Sequence, residues 1–562
     1  MAESGRKYHD LLGRLSTWTK NVTESHLYAY AIPHPMVPKT LIQSVLIASA
    51  VATIIASGLS LDPSDGSEDS FVIDGIGYRI VSDYGVEAYQ FDEFLTEAIF
   101  PPTVVHNGEI YAVVSLYSTT VHNFEYIYIP DTVTKINNFY DELEFAQRID
   151  ISAFNPVFAS QDNVVYSADM SQLLKYPNIK SDPTFIVPDF VSSIGERAFD
   201  YNQNIQEIWI GPKVQEIGDE AFLGCQNLKR INPTEIGNTL PEGLLTIGAM
   251  AFEDTGLEDI NLPDSLRLIG NYAFFNSKIR SLSIGFNTTS IGDSAFSNCT
   301  NLESISCGSP QFYAENGVLF KNDFVTDSLV MLTYAAGKKE LSYTIPEEVT
   351  DIKSHAFYGN NYLEELTFPS SMLLVPAYSI QYAEALKRVE LSNSILSVED
   401  YAFVGCRSLE EIVWGANVVY IGYAAFDSTH LCELVIPDSI TSIDNSAFCR
   451  NYDLTHVYIP TSVQYMGRGV FSEDVSIANI EFGGSAPRMS RDCLSIIEDG
   501  SDPFVLNLTV QKGFVLPDSA LGDYTIANIY VEGLLPYPYE NLLVALLCLA
   551  IVILILRFVK DV

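Results

Sequence analysis

Basic side chains are scarce in this 562-residue chain, where 31 Lys and Arg face 71 Asp and Glu and the formal net charge is −40. A nucleic-acid surface needs a basic patch or stripe, so this balance argues against nucleic acid as a partner. The eight cysteines include no Cys-x-x-Cys pair, which removes the usual spacing of a zinc site or redox motif. The acidic excess predicts a negatively charged surface that repels other copies of the chain.

Recognisable catalytic motifs are also missing. The sequence has no Gly-x-Ser-x-Gly, no His-Glu-x-x-His and no Gly-x-x-x-x-Gly-Lys-Ser/Thr. We therefore predict no catalytic residue, no metal ligand and no cofactor, and we interpret the chain as a non-enzyme. A site assembled from distant residues would leave no such motif, so an enzyme stays the least favoured alternative.

What the chain does contain is a repeated box, Ile-Gly-x-x-Ala-Phe. Copies end at Phe199, Phe222, Phe252, Phe274, Phe296, Phe357, Phe403, Phe426, Phe448 and Phe471. A degenerate copy at Val375 ends at Ile380, and the steps are then 23, 30, 22, 22, 61, 23, 23, 23, 22 and 23 residues. A fixed period in this range is the signature of a solenoid, whose repeats stack on their neighbours.

Each repeat is predicted to hold one strand and one return. The segment Leu-x-x-Ile-x-Ile-Pro follows the box, and its alternation points the apolar residues inward. Pro then ends the strand, because it cannot donate to a ladder. The box glycine is expected to permit a turn, and x-x-Ala-Phe to form a helical or 3₁₀ turn. His355, just before one Ala-Phe pair, is predicted to lie at the surface.

The pattern Ile-Gly-x-x-Ala-Phe-x-x-Cys-x-x-Leu-x-x-Ile-x-Ile-Pro resembles the BspA-type leucine-rich repeat of microbial cell-surface proteins. Phe158–Pro188 and Tyr313–Pro346 resemble the hairpin-type interruptions of that family, and the resemblance covers Phe71 to Glu532. It implies a leucine-rich-repeat solenoid, mainly β with short helical turns. It also implies an adhesin whose partners are protein or glycoprotein ligands, such as host matrix glycoproteins.

Two uncharged apolar segments, 41–59 and 541–556, flank the repeats and are predicted to be transmembrane helices. We expect 41–59 to be an uncleaved signal anchor, with a cleaved signal segment as the alternative. Small residues recur every fourth position on one face of it, and such faces let membrane helices associate. These residues are Ser44, Ala48, Ala52 and Ala56.

Charge around the two segments predicts the topology. Five Lys and Arg precede 41–59, and Arg557 and Lys560 follow 541–556. The positive-inside rule therefore places both termini in the cytoplasm and the repeat domain outside the cell membrane. The outer segment contains acceptor sequons whose use the sequence leaves open. They begin at Asn287, Asn298 and Asn507.

The predicted domain order follows from these features. It comprises a cytoplasmic segment 1–40, the anchor 41–59, an acidic linker 60–70, an N-terminal cap with degenerate repeats 71–150, the solenoid 151–482, a C-terminal cap with membrane-proximal strands 483–540, the second span 541–556 and a tail 557–562. Cys225, Cys299 and Cys406 share one slot of the repeat and are expected to be buried thiols. A disulfide of Cys432 with Cys449 or Cys406 is left open.

Outward residues of the predicted strands should form ladders on the sheet face. At the C-terminal end, Val413, Val435 and Tyr458 are expected as consecutive rungs of an apolar strip bordered by acidic residues. An exposed apolar strip rimmed by charge predicts a partner-binding site, unless a loop or the C-terminal cap covers it. The candidate binding residues are Glu411, Val413, Glu433, Val435, His456 and Tyr458.

The favoured function is therefore a membrane-anchored cell-surface binding protein or adhesin that uses a leucine-rich-repeat sheet face. The alternative is a structural envelope or membrane scaffold protein, recruited in part through the small-residue face of 41–59. A sensor or receptor is less favoured, because segments 1–40 and 557–562 hold no recognisable signalling domain.

Overall fold

The structure, a computed structural model, describes residues 70–531 apart from 93–94, 119–123, 138–142, 144, 236, 325–327, 496–503 and 522–524. Both predicted membrane segments lie outside the described residues, and so does the small-residue face from Ser44 to Ala56. Among the residues that are described, no helix has the length and apolar character needed to cross a membrane.

The region predicted to be an N-terminal cap consists of two sheets. Its strands are β1 (Ser70–Ile73), β2 (Ile76–Ser82), β3 (Gly85–Phe91), β4 (Glu97–Ile99), β5 (Thr103–His106), β6 (Glu109–Tyr117), β7 (Tyr126–Ile129), β8 (Lys135–Asn137) and β9 (Arg148–Ile151). One sheet has the order β1-β2-β3-β6-β5, with β8 beside β6. The other, β4-β7-β9, is parallel, like the sheets of the repeats.

The first half of the solenoid is built of short strands. They are β10 (Phe158–Gln161), β11 (Val164–Ser167), β12 (Gln172–Lys175), β13 (Thr184–Ile186), β14 (Ser193–Ile194), β15 (Glu207–Trp209), β16 (Glu216–Ile217), β17 (Arg230–Ile231), β18 (Thr246–Ile247), β19 (Ile260–Asn261), β20 (Leu268–Ile269), β21 (Ser281–Ile284), β22 (Ser290–Ile291) and β23 (Ser304–Cys307).

The second half continues the pattern. Its elements are β24 (Phe312–Glu315), β25 (Val318–Asp323), β26 (Ser328–Tyr334), β27 (Ser342–Thr344), β28 (Val349–Ile352), β29 (Glu365–Thr367), β30 (Leu374–Val375), β31 (Arg388–Glu390), β32 (Ser397–Val398), β33 (Glu411–Val413), β34 (Tyr420–Ile421), β35 (Glu433–Val435), β36 (Ser442–Ile443), β37 (His456–Ile459), β38 (Tyr465–Met466), β39 (Asn479–Phe482), β40 (Arg488–Met489), β41 (Phe504–Val510), a 3₁₀ helix (Asp518–Ala520) and β42 (Thr525–Val531).

Each repeat contributes two strands, where the sequence predicted one. The strand after the box joins what we name the ladder sheets, which are β13-β15-β17, β19-β21-β23, β27-β29-β31-β33 and β35-β37-β39-β41-β42. The two-residue strand just before the box joins the box sheets, which include β12-β14-β16-β18-β20-β22 and β30-β32-β34-β36-β38-β40. Neighbouring repeats are therefore tied by parallel pairing along two lines.

The box phenylalanines stack face to face, which confirms the predicted solenoid. Ring centroids lie 4.9 Å apart between Phe199 and Phe222, and 5.2 Å apart between Phe222 and Phe252. In the second half, Phe403 and Phe426 are 5.1 Å apart with a 7° angle between the rings. All of these side chains are buried. The core is thus a column of rings that no repeat could bury by itself.

Two antiparallel hairpins interrupt the repeats where the sequence predicted them. They are β10-β11-β12 and β24-β25-β26, and their last strands pair in parallel with β14 and β28. Tyr176 and Tyr334 then stack on Phe199 and Phe357, at 5.1 Å in both cases. A tyrosine ring therefore continues the aromatic column where a hairpin replaces the repeat.

The box is not the helical or 3₁₀ turn that the sequence predicted. Its second variable position, just before Ala-Phe, is left-handed, with φ of +56° at Glu220, Tyr272 and Tyr401. The N–H of Phe222 donates to the carbonyl of Ala251 in the next repeat at 2.8 Å. A helix would need such N–H groups to bond back along their own chain. Stacking therefore replaces the helix with reverse turns, and the described residues contain almost no helix.

The glycine of the box also has a role that differs from the predicted one. Gly270 and Gly292 do not have a positive φ, so the predicted role in permitting a turn was wrong. A Cβ at Gly270 would lie 2.4 Å from the backbone nitrogen of Ala249, and one at Gly292 would lie 2.4 Å from that of Asn271. The missing side chain lets the backbones of neighbouring repeats approach closely.

A column of small polar side chains runs beside the phenylalanine column. Its buried members are Asn202, Cys225, Thr255, Ser277, Cys299, Asn360, Cys406, Thr429, Asn451 and Asp474. The Cys225 thiol donates to the Phe199 carbonyl at 3.0 Å, and the Asn360 amide donates to the Ala336 carbonyl at 3.2 Å. These side chains add hydrogen bonds to backbone carbonyls of the preceding part of the stack.

The cysteines of this column are buried, as predicted, and burial raises the pKa of the Cys406 thiol to about 12. The seven cysteines that the structure describes form no disulfide with one another. Neither Cys432, which is exposed, nor the buried Cys449 forms the disulfide that the sequence left open.

Asp474 ends the polar column and predicts a pH-dependent stability. Its side chain is fully buried, Oδ1 accepts the Asn451 N–H at 2.6 Å, and Oδ2 has no partner. Burial raises the pKa of this carboxyl well above its usual range, helped by Asp427 and Glu473, although the Asn451 bond opposes the shift. The folded state therefore holds a proton that the unfolded state releases above pH of about 4.

The folded chain should lose stability as pH rises from that value toward the raised pKa, because the folded state binds more protons. Asp474→Asn keeps the acceptor and cannot ionise. We expect the free energy of unfolding of the variant to increase relative to that of the wild type as pH rises, by up to about 1.4 kcal/mol per pH unit in this window. Urea unfolding from pH 4 to pH 8 measures the difference. A constant difference across the series would contradict this account.

Candidate binding surface

The six candidate binding residues lie on the ladder sheets, but the structure divides them between two sheets. Glu411 and Val413 are on β33, the last strand of one sheet, where Val413 pairs with Glu390. The next ladder strand, β35, begins a new sheet, and Val435 pairs there with Tyr458. Val435 and Tyr458 are therefore neighbours in register, and Val413 is not joined to them by a ladder.

The loops that lead to β33 and β35 differ in length by one residue. Phe403 is followed after nine residues by the strand residue Ile412, whereas Phe426 is followed after eight by Leu434. The shorter loop brings the His430 N–H to the Leu409 carbonyl at 3.1 Å. The regular ladder between β33 and β35 is absent from the pairings of the described strands.

Exposure and charge differ on the two sides of this division. Val435 is 60% exposed, and Glu433 beside it is exposed as well. Tyr458 and His456 are half-buried, and His456 Nε2 lies 3.9 Å from Glu481 Oε2. The C-terminal group formed by Glu433, Val435, His456 and Tyr458 is therefore an apolar centre with acidic neighbours.

On the preceding sheet, Val413 is only half-buried and Glu411 is exposed. Arg388 lies between two acids, 3.0 Å from Glu390 Oε2 and 3.3 Å from Glu411 Oε2. These ion pairs are partly exposed, so their net contribution to stability is small. The charge of Glu411 is already partnered here, which leaves the C-terminal group as the freer surface.

The three sequons lie in different surroundings. Asn287 is exposed, with its amide nitrogen 2.7 Å from the Asp264 carbonyl. Asn507 is half-buried on β41. Asn298 is buried and its amide nitrogen donates to Asn276 Oδ1 at 3.1 Å. A glycan must be attached to that nitrogen, so the folded structure disfavours Asn298 as an acceptor.

His355, which was predicted to lie at the surface, is half-buried. Its ring belongs to a row of aromatic side chains at the box turns, formed by Tyr272, His355, Tyr378, Tyr401 and Tyr423. Ser294 Oγ lies 2.9 Å from Nδ1, which links two repeats across the 61-residue step. Burial lowers the pKa of His355 to about 4, so the imidazole is neutral at physiological pH.

Sequence reasoning missed a second exposed surface, on the box sheet β30-β32-β34. Leu373 is 62% exposed, Leu396 is 46% exposed and Val419 is 41% exposed. They stack in register, because the Leu396 N–H donates to the Leu373 carbonyl and the Val419 N–H to the Leu396 carbonyl, both at 2.8 Å. Leu374 and Tyr420 lie in the adjacent column. We name these five residues the aliphatic patch.

A signal for the patch was present in the sequence. Met372–Val375 and Val418–Ile421 are unbroken runs of apolar residues before a box, although only the inner positions of a box strand are needed for the core. The box strand itself was not predicted, so the outward direction of these positions could not be predicted either. In the part of the chain that the structure describes, no group of three or more His, Cys, Asp or Glu side chains is arranged to hold a metal ion.

Two short strands per repeat, parallel pairing along both and a shared apolar column define a leucine-rich-repeat solenoid. A family model of the BspA type leucine rich repeat region matches six copies, over residues 176–238, 234–323, 334–379 and 374–496. These matches cover more than half of the 562 residues. The chain belongs to the BspA-type leucine-rich repeat family.

Solved structures of bacterial leucine-rich repeat proteins are similar to the chain. A leucine rich cell surface protein of Faecalibacterium prausnitzii is 22% identical, with 74% of this chain and 96% of that chain covered and a TM-score of 0.41. The pneumococcal vaccine antigen PcpA is 18% identical, with 83% and 99% covered and a TM-score of 0.38. A leucine-rich repeat protein of Eubacterium ventriosum is 22% identical, with 57% and 88% covered and a TM-score of 0.46.

At these identities and scores the likeness carries no argument about function. No curated protein sequence matches the chain.

Proposed function

We propose that this chain is a membrane-anchored cell-surface protein that binds a protein or glycoprotein partner through its C-terminal ladder sheet. The observation that carries the proposal is the exposure of Val435 beside Tyr458 in register, with Glu433 and His456 next to them. An apolar centre with a polar rim is the usual anatomy of a protein interface. Leucine-rich repeat proteins in general bind protein partners, and this supports the same conclusion.

The proposal includes the location. Segments 41–59 and 541–556 anchor the chain in the cell membrane, both termini are cytoplasmic, and the repeats face outward. The basic residues beside the two apolar segments support this topology, because Lys and Arg near the ends of a membrane span favour the cytoplasmic side. The chain acts by binding and not by catalysis, and host matrix glycoproteins, which the family resemblance suggests, are the partner class to test first.

The experiment displays the full-length chain on cells and measures their retention on immobilised plasma fibronectin. Val435→Asp with Tyr458→Asp should reduce retention about tenfold or more, since it puts two charges in the apolar centre of the interface. Val105→Asp is the matched control, because Val105 is also 60% exposed but lies on β5 of the N-terminal region. Equal loss in both variants, or none in the double variant, would contradict the proposed surface.

Protease shaving of the same cells controls for the location. We expect released peptides to come from 71–531 and peptides of 1–40 to be retained. If the repeat peptides remain protected, the external location is overturned, and an internal scaffold becomes the better account.

A further inference from the structure

The aliphatic patch is a second exposed surface, distinct from the C-terminal group of the ladder sheet. It spans three consecutive repeats, because Leu374, Ser397 and Tyr420 pair in register beside the column of Leu373, Leu396 and Val419. Contiguous exposed apolar surface on a folded chain marks an interaction site more often than a defect.

The fold does not require these side chains to be apolar. The same column continues through Thr441 and Gln464, whose N–H groups donate to the carbonyls of Val419 and Thr441 at 2.9 and 2.8 Å. Polar residues are therefore tolerated at this position of the repeat. The core beneath is supplied by inner neighbours such as Val375 and Val398, which are buried. An aliphatic column confined to three rungs calls for an explanation other than packing.

Acidic side chains surround the patch. Glu399 accepts a hydrogen bond from Ser397 Oγ at 2.5 Å, and Asp444 accepts one from the Tyr420 hydroxyl at 3.0 Å. Five stacked segments form and border the patch, and together they hold seven Asp and Glu but one basic residue, Lys353. Taken in chain order, the segments contain three, none, two, none and two acidic residues. These segments are 347–353, 370–378, 393–401, 416–423 and 438–446.

This charge selects the occupant. A second copy of this chain would bring a net charge of −40 against an acidic rim, and like-charge juxtaposition opposes such pairing. A basic partner gains from the same rim, which steers its approach and pairs with its Lys and Arg side chains. The partner must also present aliphatic side chains to cover Leu373, Leu396 and Val419.

We propose that the aliphatic patch docks a basic segment of a partner protein, with aliphatic side chains on the Leu373–Leu396–Val419 column and cationic side chains on the acidic rim. The inference rests on the proposed function in that the chain is a binding protein, but it uses a different sheet. The two proposals can therefore fail separately.

The test uses the full-length chain in nanodiscs of zwitterionic lipid and a fluorescent synthetic peptide of alternating leucine and lysine as the probe. Fluorescence anisotropy should show saturable binding that weakens with added salt. Leu396→Asp should weaken binding about tenfold or more. This variant adds a negative charge, so an interaction that is merely electrostatic would instead become stronger. Leu373→Asp should act in the same direction, and Glu399→Gln with Asp444→Asn should reduce the salt dependence.

Controls separate the possible outcomes. Val435→Asp alters the ladder sheet and should leave binding of the peptide to the aliphatic patch unchanged. The peptide measurement is therefore independent of whether the ladder sheet binds a partner. Unaltered thermal unfolding of Leu396→Asp shows that the exposed substitution leaves the fold intact. The proposal is overturned if a leucine–glutamate peptide binds equally well, or if Leu396→Asp has no effect. Two further outcomes would overturn it. In one, Leu396→Asp abolishes self-association of the chain but does not weaken peptide binding. In the other, Leu396→Asp abolishes binding to added anionic vesicles but does not weaken peptide binding.

Discussion

Phe426→Ala should lower the free energy of unfolding of the C-terminal half by about 3–5 kcal/mol, the range for removing a large buried aromatic side chain. Phe426 is fully buried between Phe403 and Phe448, with ring centroids 5.1 and 5.4 Å away. The Trp414 ring meets it edge-on at 5.6 Å. Truncation leaves a cavity and removes a contact on each side, so it weakens the coupling between neighbouring repeats.

Trp414 is a convenient reporter of this effect. We suggest replacing Trp18 and Trp209 with Phe and following urea unfolding by Trp414 fluorescence. Tyr452→Ala, at a position that is 53% exposed, removes an aromatic ring from the surface of the same half. It should change stability by no more than about 0.5 kcal/mol. If the two variants shifted the midpoint equally, the ring column would not be what holds this half together.

Asp200→Asn should destabilise the N-terminal half by about 3–5 kcal/mol, because it leaves a buried ammonium group without its counter-charge. Lys175 is 1% exposed and Asp200 is fully buried, and the two form an ion pair. Arg197 Nε contacts the second carboxylate oxygen at 2.8 Å, and Lys175 Nζ also donates to the Arg197 carbonyl at 3.3 Å. Burial makes the loss large, since water cannot replace the carboxylate.

Urea unfolding followed by Trp209 fluorescence, with Trp18 and Trp414 replaced by Phe, measures this loss. Glu258→Gln is the control, since the Glu258–Arg280 pair at 3.2 Å is exposed on both sides and should contribute about 1 kcal/mol or less. Lys175→Met with Asp200→Leu removes both charges and should recover most of the stability. An Asp200→Asn effect no larger than that of Glu258→Gln would contradict the account.

The sequence could predict the ring column because the period of the box places one Phe in each repeat. It could not predict the ion pair, because Lys175 and Asp200 meet only when a hairpin strand is stacked on the first complete box. The sequence could not predict the conformation of the box for a related reason. The N–H of Phe222 bonds to the next repeat, and this tertiary bond overrides the local preference for a helical turn.

The candidate surface shows the same limit. The alternation of apolar residues identified Val435 and Tyr458 as outward residues, and both lie on the ladder sheet. Whether Val413 joins them depends on the pairing of β33 with β35, which only the tertiary structure decides. The aliphatic patch depends on a second strand per repeat that is two residues long. Such a strand is too short to have a period of its own.

By itself, the sequence determined the family, the solenoid, the positions of the two hairpins and the residues of the apolar column, because these follow from spacing along one chain. The tertiary structure alone decided which outward residues are neighbours, which charges are buried and why the box needs glycine. Those properties depend on contacts between residues that are a full repeat apart, and only the stacking of one repeat on the next brings them together.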